Sequence, residues 1–140
     1  MSYSISQAAM RTGLTNHTLR YYEKEGLLPF VERTATGIRD FKESDFEWLS
    51  LITCLKQSGM PVKQIKEFID LCLQGDDTLE KRLELFLEHK KSVEDKMAEL
   101  EKHMQRIEYK VWYYTTAVEA GTEAIHKGDS CSEADSDEKR

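Results

Sequence analysis

Residues Leu79 to Val118 read LEKRLELFLEHKKSVEDKMAELEKHMQRIEYKVWYYTTAV. Taken in alternating steps of four and three, this stretch gives Leu79, Leu83, Phe86, Lys90, Val93, Met97, Leu100, Met104, Ile107, Val111, Tyr114 and Val118, and only Lys90 is not apolar. That is an a/d heptad seam with Leu79 at d and Leu83 at a. No Pro or Gly interrupts it. At ~1.5 Å per residue the helix is roughly 60 Å long. The chain offers no second helix of that length to cover so narrow a stripe. The expected partner is another copy of the same helix, which makes the twelve seam residues dimerisation residues. Lys90, the one charge on the seam, fixes register at some cost in stability.

Working outward, the remaining globular part is the N-terminal ~75 residues of a 140-residue chain, small but able to fold. A composition of 39% apolar and 33% charged residues suits a helix-rich, water-exposed protein. No apolar run approaches the ~18 residues of a membrane span. The first ten residues, MSYSISQAAM, have neither a basic start nor a long apolar core, so no signal peptide is expected. Cys54, Cys72 and Cys131 are odd in number and widely spaced, which argues for a reducing, cytoplasmic setting rather than a disulfide framework. The net charge of -6 is unevenly spread. Residues 1–42 hold six Lys/Arg against four acids, net +2, and residues 121–140 hold three against six, net -3. A local basic surface is what nucleic-acid contact requires.

In chain order, Ser6 is expected to cap a helix over Gln7–Thr12, and Gly13 to stop it. Thr15 caps a second helix carrying Leu19, Arg20 and Tyr22, which Gly26 ends. Two short helices joined by Gly-Leu-Thr form a helix-turn-helix pattern, with a generic helical hairpin as the alternative. Phe30–Arg33 and Ile38–Phe41 are β-prone runs flanking Thr34-Ala35-Thr36-Gly37, a β-hairpin placed as a wing. Its tip carries Arg33, Gly37 and Arg39, suited to phosphates. Ser44 or Lys42 opens a third helix crowded with large apolar residues. Pro61 opens a fourth, with Val62, Ile65, Ile69 and Leu73 on one face. Thr78 is placed to cap the long helix. Residues 121–127 can form one weak turn, and residues 128–140 have no large apolar side chain.

The run Thr15–Leu28, TNHTLRYYEKEGLL, followed by Gly37-Ile38-Arg39-Asp40-Phe41, resembles the MerR family of bacterial transcription regulators. The resemblance implies a mainly α fold. A winged helix-turn-helix DNA-binding domain fills 1–75, a second helical pair acting as a further wing. An antiparallel coiled-coil dimerisation helix fills 76–119, followed by a short, largely disordered acidic tail over 120–140. It implies a homodimer on a near-palindromic operator in double-stranded promoter DNA, with RNA polymerase as partner and DNA distortion as the output. Carried over by position, Thr15, Asn16, His17, Thr18, Arg20, Tyr21 and Tyr22 face the major groove, one tyrosine reaching phosphate and the other packing inward. Arg33, Gly37 and Arg39 form the wing contact, and Arg11 and Lys63 are weaker DNA-contact candidates. Ile38 stands where many members have Tyr, so no aromatic phosphate contact is expected there.

For the inducer, the family's metal sensors place a Cys at the start of the dimer helix and a Cys pair after it. Here those places hold Thr78-Leu79 and the single Cys131, too few donors for a soft metal. No cofactor is expected. Cys54, in Leu-Ile-Thr-Cys-Leu-Lys, resembles the thiol of the aldehyde- and electrophile-sensing branch, set against a buried structural thiol. Trp48, Leu51 and Leu55 are expected to crowd it. Cys72 is expected to be structural. His89 and His103 fall at g positions. Nothing supports an enzyme: there is no H-E-x-x-H, no phosphate-binding Gly loop and no Ser-His-Asp grouping. Two alternatives remain open: a regulator of the same type with a drug or metal inducer, and a coiled-coil adaptor that grips a protein instead of DNA.

Overall fold

The computed structural model describes residues 2–128. Helix α1 spans Ile5–Thr12, and Ser4, not Ser6, caps it. The Ser4 hydroxyl accepts from Gln7 N–H while the Gln7 side chain accepts from Ser4 N–H. This reciprocal pair satisfies two otherwise orphaned donors, which Ser6 cannot do two residues later. Gly13 ends α1 at φ 76°, where a side chain would be strained. Helix α2, Asn16–Lys24, starts at Thr15, whose Oγ1 accepts from Thr18 N–H at 3.0 Å.

The wing is short. Strand β1 is Glu32–Arg33 and β2 is Arg39–Asp40, antiparallel, with Glu32 opposite Asp40 and Arg33 opposite Arg39. The longer runs expected on either side do not pair with each other; Phe41 instead bridges back to Tyr3. Helix α3, Glu43–Gln57, begins after Lys42. Asp45, only 1% exposed, accepts from the Lys42 N–H and from its Nζ, so the buried carboxylate is partnered. Helix α4, Val62–Gln74, follows Pro61, and its buried face is Ile65, Phe68 and Ile69 while Leu73 points outward. Phe68 was not expected there.

Helix α5 runs Leu79–Ala120 without a break. Thr78 does not cap it. Thr78 closes a 3₁₀ turn, Asp76–Thr78, and its hydroxyl donates back to the carbonyls of Leu71 (2.6 Å) and Gly75 (2.9 Å). Those are orphan acceptors at the end of α4, so Thr78 serves the helix before it. Contacts divide the chain between His89 and Lys90, inside α5. In the first unit Ala8, Leu19, Leu27, Phe41, Leu49, Ile52, Ile65 and Ile69 form the centre of the core, and the start of α5 contributes Leu85 and Phe86 to it. Phe86 packs edge-on against Phe68 with ring centroids 4.9 Å apart. Its place is therefore in this core, not on an open seam. His89, expected toward flank or solvent, shares a 2.8 Å hydrogen bond with Ser58.

In the second unit, residues 121–128 are not disordered. Gly121 turns the chain at φ 75°, and a 3₁₀ turn, Glu123–His126, folds back on α5. His126 is buried, stacked on Tyr113 at 4.2 Å, with Nε2 against Thr116 Oγ1 at 2.6 Å. Residues 129–140, including Cys131, lie outside the described residues. Among the described residues no helix is long and apolar enough to cross a membrane.

Candidate nucleic-acid interface

The site is built on α2. Leu19 and Tyr22 turn into the core, which forces the opposite face outward. That face carries His17, Arg20 and Tyr21, all exposed. Thr15 and Thr18 are joined by a 2.9 Å bond between their hydroxyls. Asn16 donates to Ser6 Oγ at 3.3 Å, so α1 holds the first turn of α2 in place. These amide, imidazole, hydroxyl and guanidinium groups at a helix N-terminus are the types that read base edges and bind phosphate.

The paired tyrosines separate cleanly. Tyr21 is 39% exposed and Tyr22 4%. Tyr22, carried forward as a DNA-facing residue, is a core residue instead. Burial raises its pKa above the ordinary 10, and the nearby Thr53 side chain on α3 opposes that rise.

Glu23 is the residue that sequence reasoning missed. Its carboxylate pairs with Arg39 Nε and, at 3.2 Å, with Arg33 Nη2. Arg33 also donates to the Gly37 carbonyl at 2.7 Å, drawing the hairpin turn in. Gly37 needs its φ of 86° to make that turn. One acid on α2 thus gathers both wing arginines beside the helix face. A charge count could have raised it, because Glu23 is one of only four acids in an otherwise basic N-terminal stretch.

Arg11 is not gathered with them. It makes two bonds to the Glu43 carboxylate, the longer at 2.6 Å, and one to Tyr3 Oη at 2.9 Å, and lies 4.5 Å over the Phe46 ring. The guanidinium holds the Glu43 carboxyl below its usual pKa. Lys63 is exposed on the first turn of α4.

Cys54 is exposed. The crowding expected from Trp48, Leu51 and Leu55 is absent, because α3 turns Leu55 inward and Cys54 outward. The buried structural thiol is excluded by the same fact. Cys54 lines an open cavity of about 460 Å³ with Arg11, Phe46, Ser50, Thr53 and Gln57. Cys72 is half-buried, and burial pushes its thiol pKa up against the opposing Arg82.

The comparisons agree with this geometry. Residues 3–72 match the MerR HTH family regulatory protein model, and residues 46–109 match the model described as MerR, DNA binding. An HTH-type transcriptional regulator of Haemophilus influenzae is 44% identical over 122 residues, 87% of this chain and 90% of its own. The regulator AdhR of Bacillus subtilis is 43% identical over 79 residues, 56% of each chain. The solved structure of HiNmlR, a MerR family regulator lacking the sensor domain, bound to promoter DNA, superposes with a TM-score of 0.80 at 43% identity, covering 89% of this chain and 99% of that one. The capped helix-turn-helix, the two-stranded wing tied to it and most of α5 fall within the residues that those two models match, and the chain belongs to the MerR family of DNA-binding transcription regulators.

Proposed function

We propose that this chain binds a promoter operator as an antiparallel homodimer, distorts the duplex, and so alters how RNA polymerase engages that promoter. The observation that carries the reading is the Glu23 clamp: α2 and both wing arginines form one surface. In it, Thr15, Asn16, His17, Thr18, Arg20 and Tyr21 face the major groove and Arg33, Gly37 and Arg39 the adjacent backbone. Lys63 on α4 supplies a further phosphate contact. Arg11, neutralised by Glu43, contributes less. Two half-sites must be held at once, so the α5 pairing sets operator spacing.

The test is a salt titration of duplex binding using DNA from upstream of the gene's own start. Phosphate neutralisation gives a steep slope, and an adaptor without DNA binding gives none. Arg20→Ala lowers specific affinity by roughly 1–3 kcal/mol, and Arg39→Ala weakens all sequences alike and flattens the slope by about one. An unchanged ratio of specific to non-specific affinity in Arg20→Ala removes the base-reading role.

The inducer reading is an aldehyde or related electrophile acting on Cys54. Its exposure in an open cavity supports access. The thiolate sulfur attacks the carbonyl carbon, the C=O π pair moves to oxygen, and oxygen takes up a proton to give a hemithioacetal without net redox change. The route to DNA is short. Thr53, the preceding residue on α3, lies beside Tyr22 of α2, so an adduct next to it acts where α3 supports the DNA-facing helix.

A further inference from the structure

The long helix leaves two large side chains exposed that the a/d seam does not account for. Leu87 is 54% exposed at an e position, and Trp112 is 51% exposed at a b position. Both sit in an otherwise orderly pattern. At the start of α5, Phe86 is drawn into its own core against Phe68. The outward apolar line there becomes Leu79, Leu83 and Leu87, each more than half exposed. Near the end of α5, Tyr109 is buried on the outer face, where the 3₁₀ turn returns. Trp112 remains out, held edge-on by His126 at 4.9 Å and tilted against Tyr109 at 5.7 Å. A buttressed, exposed indole has already lost much of its rotamer freedom, which lowers the cost of docking it.

Resting on the homodimer reading above, we infer that Leu87 of one protomer packs against the partner's Trp112, forming two equivalent apolar contacts outside the heptad seam. The register follows from the seam itself. By heptad phase only full overlap sets all six a positions opposite d positions, with Phe86 the one d side chain drawn away, placing Leu79 opposite the partner's Val118 and Met97 opposite the partner's Leu100. A slip by one heptad strands one a and one d position on each helix. In an antiparallel pair the e flank of one helix faces the e flank of the other, and b lies next to e on the helix surface. Leu87 and the partner's Trp112 therefore share a flank, offset by two residues, about 3 Å along the axis. Leu87, about 100° around the helix from Phe86, stays on the e flank, and the indole reaches inward to cover it. Two-fold symmetry makes the contact twice.

The experiment uses the full chain with Cys54→Ser, Cys72→Ala and Cys131→Ser. One batch adds Leu87→Cys and another Trp112→Cys; both sites are exposed, so neither change opens a core. The batches are mixed, allowed to exchange subunits and treated with a short bismaleimide. The expected product is a covalent dimer of about 33 kDa, twice the 16.3 kDa chain, from the mixture and from neither batch alone. Met97→Cys mixed with Leu100→Cys is the control for overlapped antiparallel pairing. If that control cross-links and the Leu87/Trp112 mixture does not, the contact is overturned while the dimer stands. Cross-linking of a Leu83→Cys batch with itself means parallel pairing and overturns the register. Sedimentation at 16.3 kDa throughout removes the homodimer reading itself.

Discussion

Tyr22→Phe separates the two adjacent tyrosines most sharply. The substitution removes one hydroxyl from a residue 4% exposed and leaves the ring in its core. What is lost is the hydroxyl's polar interaction with the nearby Thr53 side chain. A neutral polar interaction of this kind is worth about 1 kcal/mol net at most, and Thr53 keeps enough access to solvent to avoid a full desolvation penalty. For a cooperative unit of this size that lowers Tm by roughly 4 °C. Operator affinity and its salt slope stay unchanged, because Tyr22 offers nothing to DNA. Tyr21→Phe gives the reverse: Tm unchanged, operator affinity reduced.

The same residue predicts a pH dependence. Burial raises the Tyr22 pKa above the unfolded value of 10, so below pH 10 both states hold the proton and its contribution is fully present. Above pH 10 the unfolded chain releases the proton first, and stability falls until the folded pKa is passed. Tyr22→Phe should lose that alkaline component, seen as a shallower decline of Tm between pH 9.5 and 11 than in the parent. The assays are thermal unfolding by circular dichroism and fluorescence anisotropy on labelled duplex. A Tyr22→Phe chain that keeps its Tm and alkaline profile but loses operator affinity refutes the inward assignment.

Phe86→Ala should cost about 2–4 kcal/mol of unfolding stability, near the lower part of the range for a buried aromatic because Phe86 is only partly covered; an unchanged denaturation midpoint returns it to the seam. Lys90→Leu should raise Tm and loosen register, read as a second cross-linking pattern; a lower Tm with a single register contradicts the polar-a-position argument. Gly26→Ala should destabilise by about 1 kcal/mol or more, since φ is 79° and the new Cβ would stand 2.9 Å from Lys66 Cε; a neutral effect in a urea melt would mean that Lys66 swings aside and the backbone relaxes. Cys54→Ser should keep operator binding and lose aldehyde-induced reporter transcription, and full induction there ends the thiol mechanism.

Helix order and wing position were legible because each boundary has a local chemical cause. Gly13, Thr15, Gly37 and Pro61 act through their own backbone or one neighbour. The α1 cap was misplaced by two residues because Ser4 and Ser6 are equivalent until the Gln7 back-bond is weighed. The tyrosine pair was undecidable for a different reason. Neighbouring helical positions differ by about 100°, and which one faces inward depends on where α3 lies. The crowding expected around Cys54 was absent for a like reason. Cys54 sits beside buried Leu55 in sequence, yet on α3 that adjacency turns it to the surface. Glu23 is legible only once the wing is folded, because its two partners are ten and sixteen residues away.

Helix α5 shows why a strong periodic signal still needs the tertiary context. The heptad rule assigns Phe86 and Leu87 by phase alone, one to the seam and one to its flank. Phase carries no information about a competing surface on the same chain. Phe68 and the α4 face are such a surface, and Phe86 packs there at 4.9 Å. For the seam this is a vacancy that phase cannot register. The apolar line shifts to Leu87, an i+4 step from Leu83, which keeps the stripe continuous on the helix surface. The start of the helix therefore divides adjacent residues: Leu85 and Phe86 pack against the core of the first unit, and Leu79, Leu83 and Leu87 stay exposed. On the proposed homodimer, a change on that exposed line would stand only one residue from those that fix the core of the first unit, which would give dimer pairing and operator geometry a common physical element.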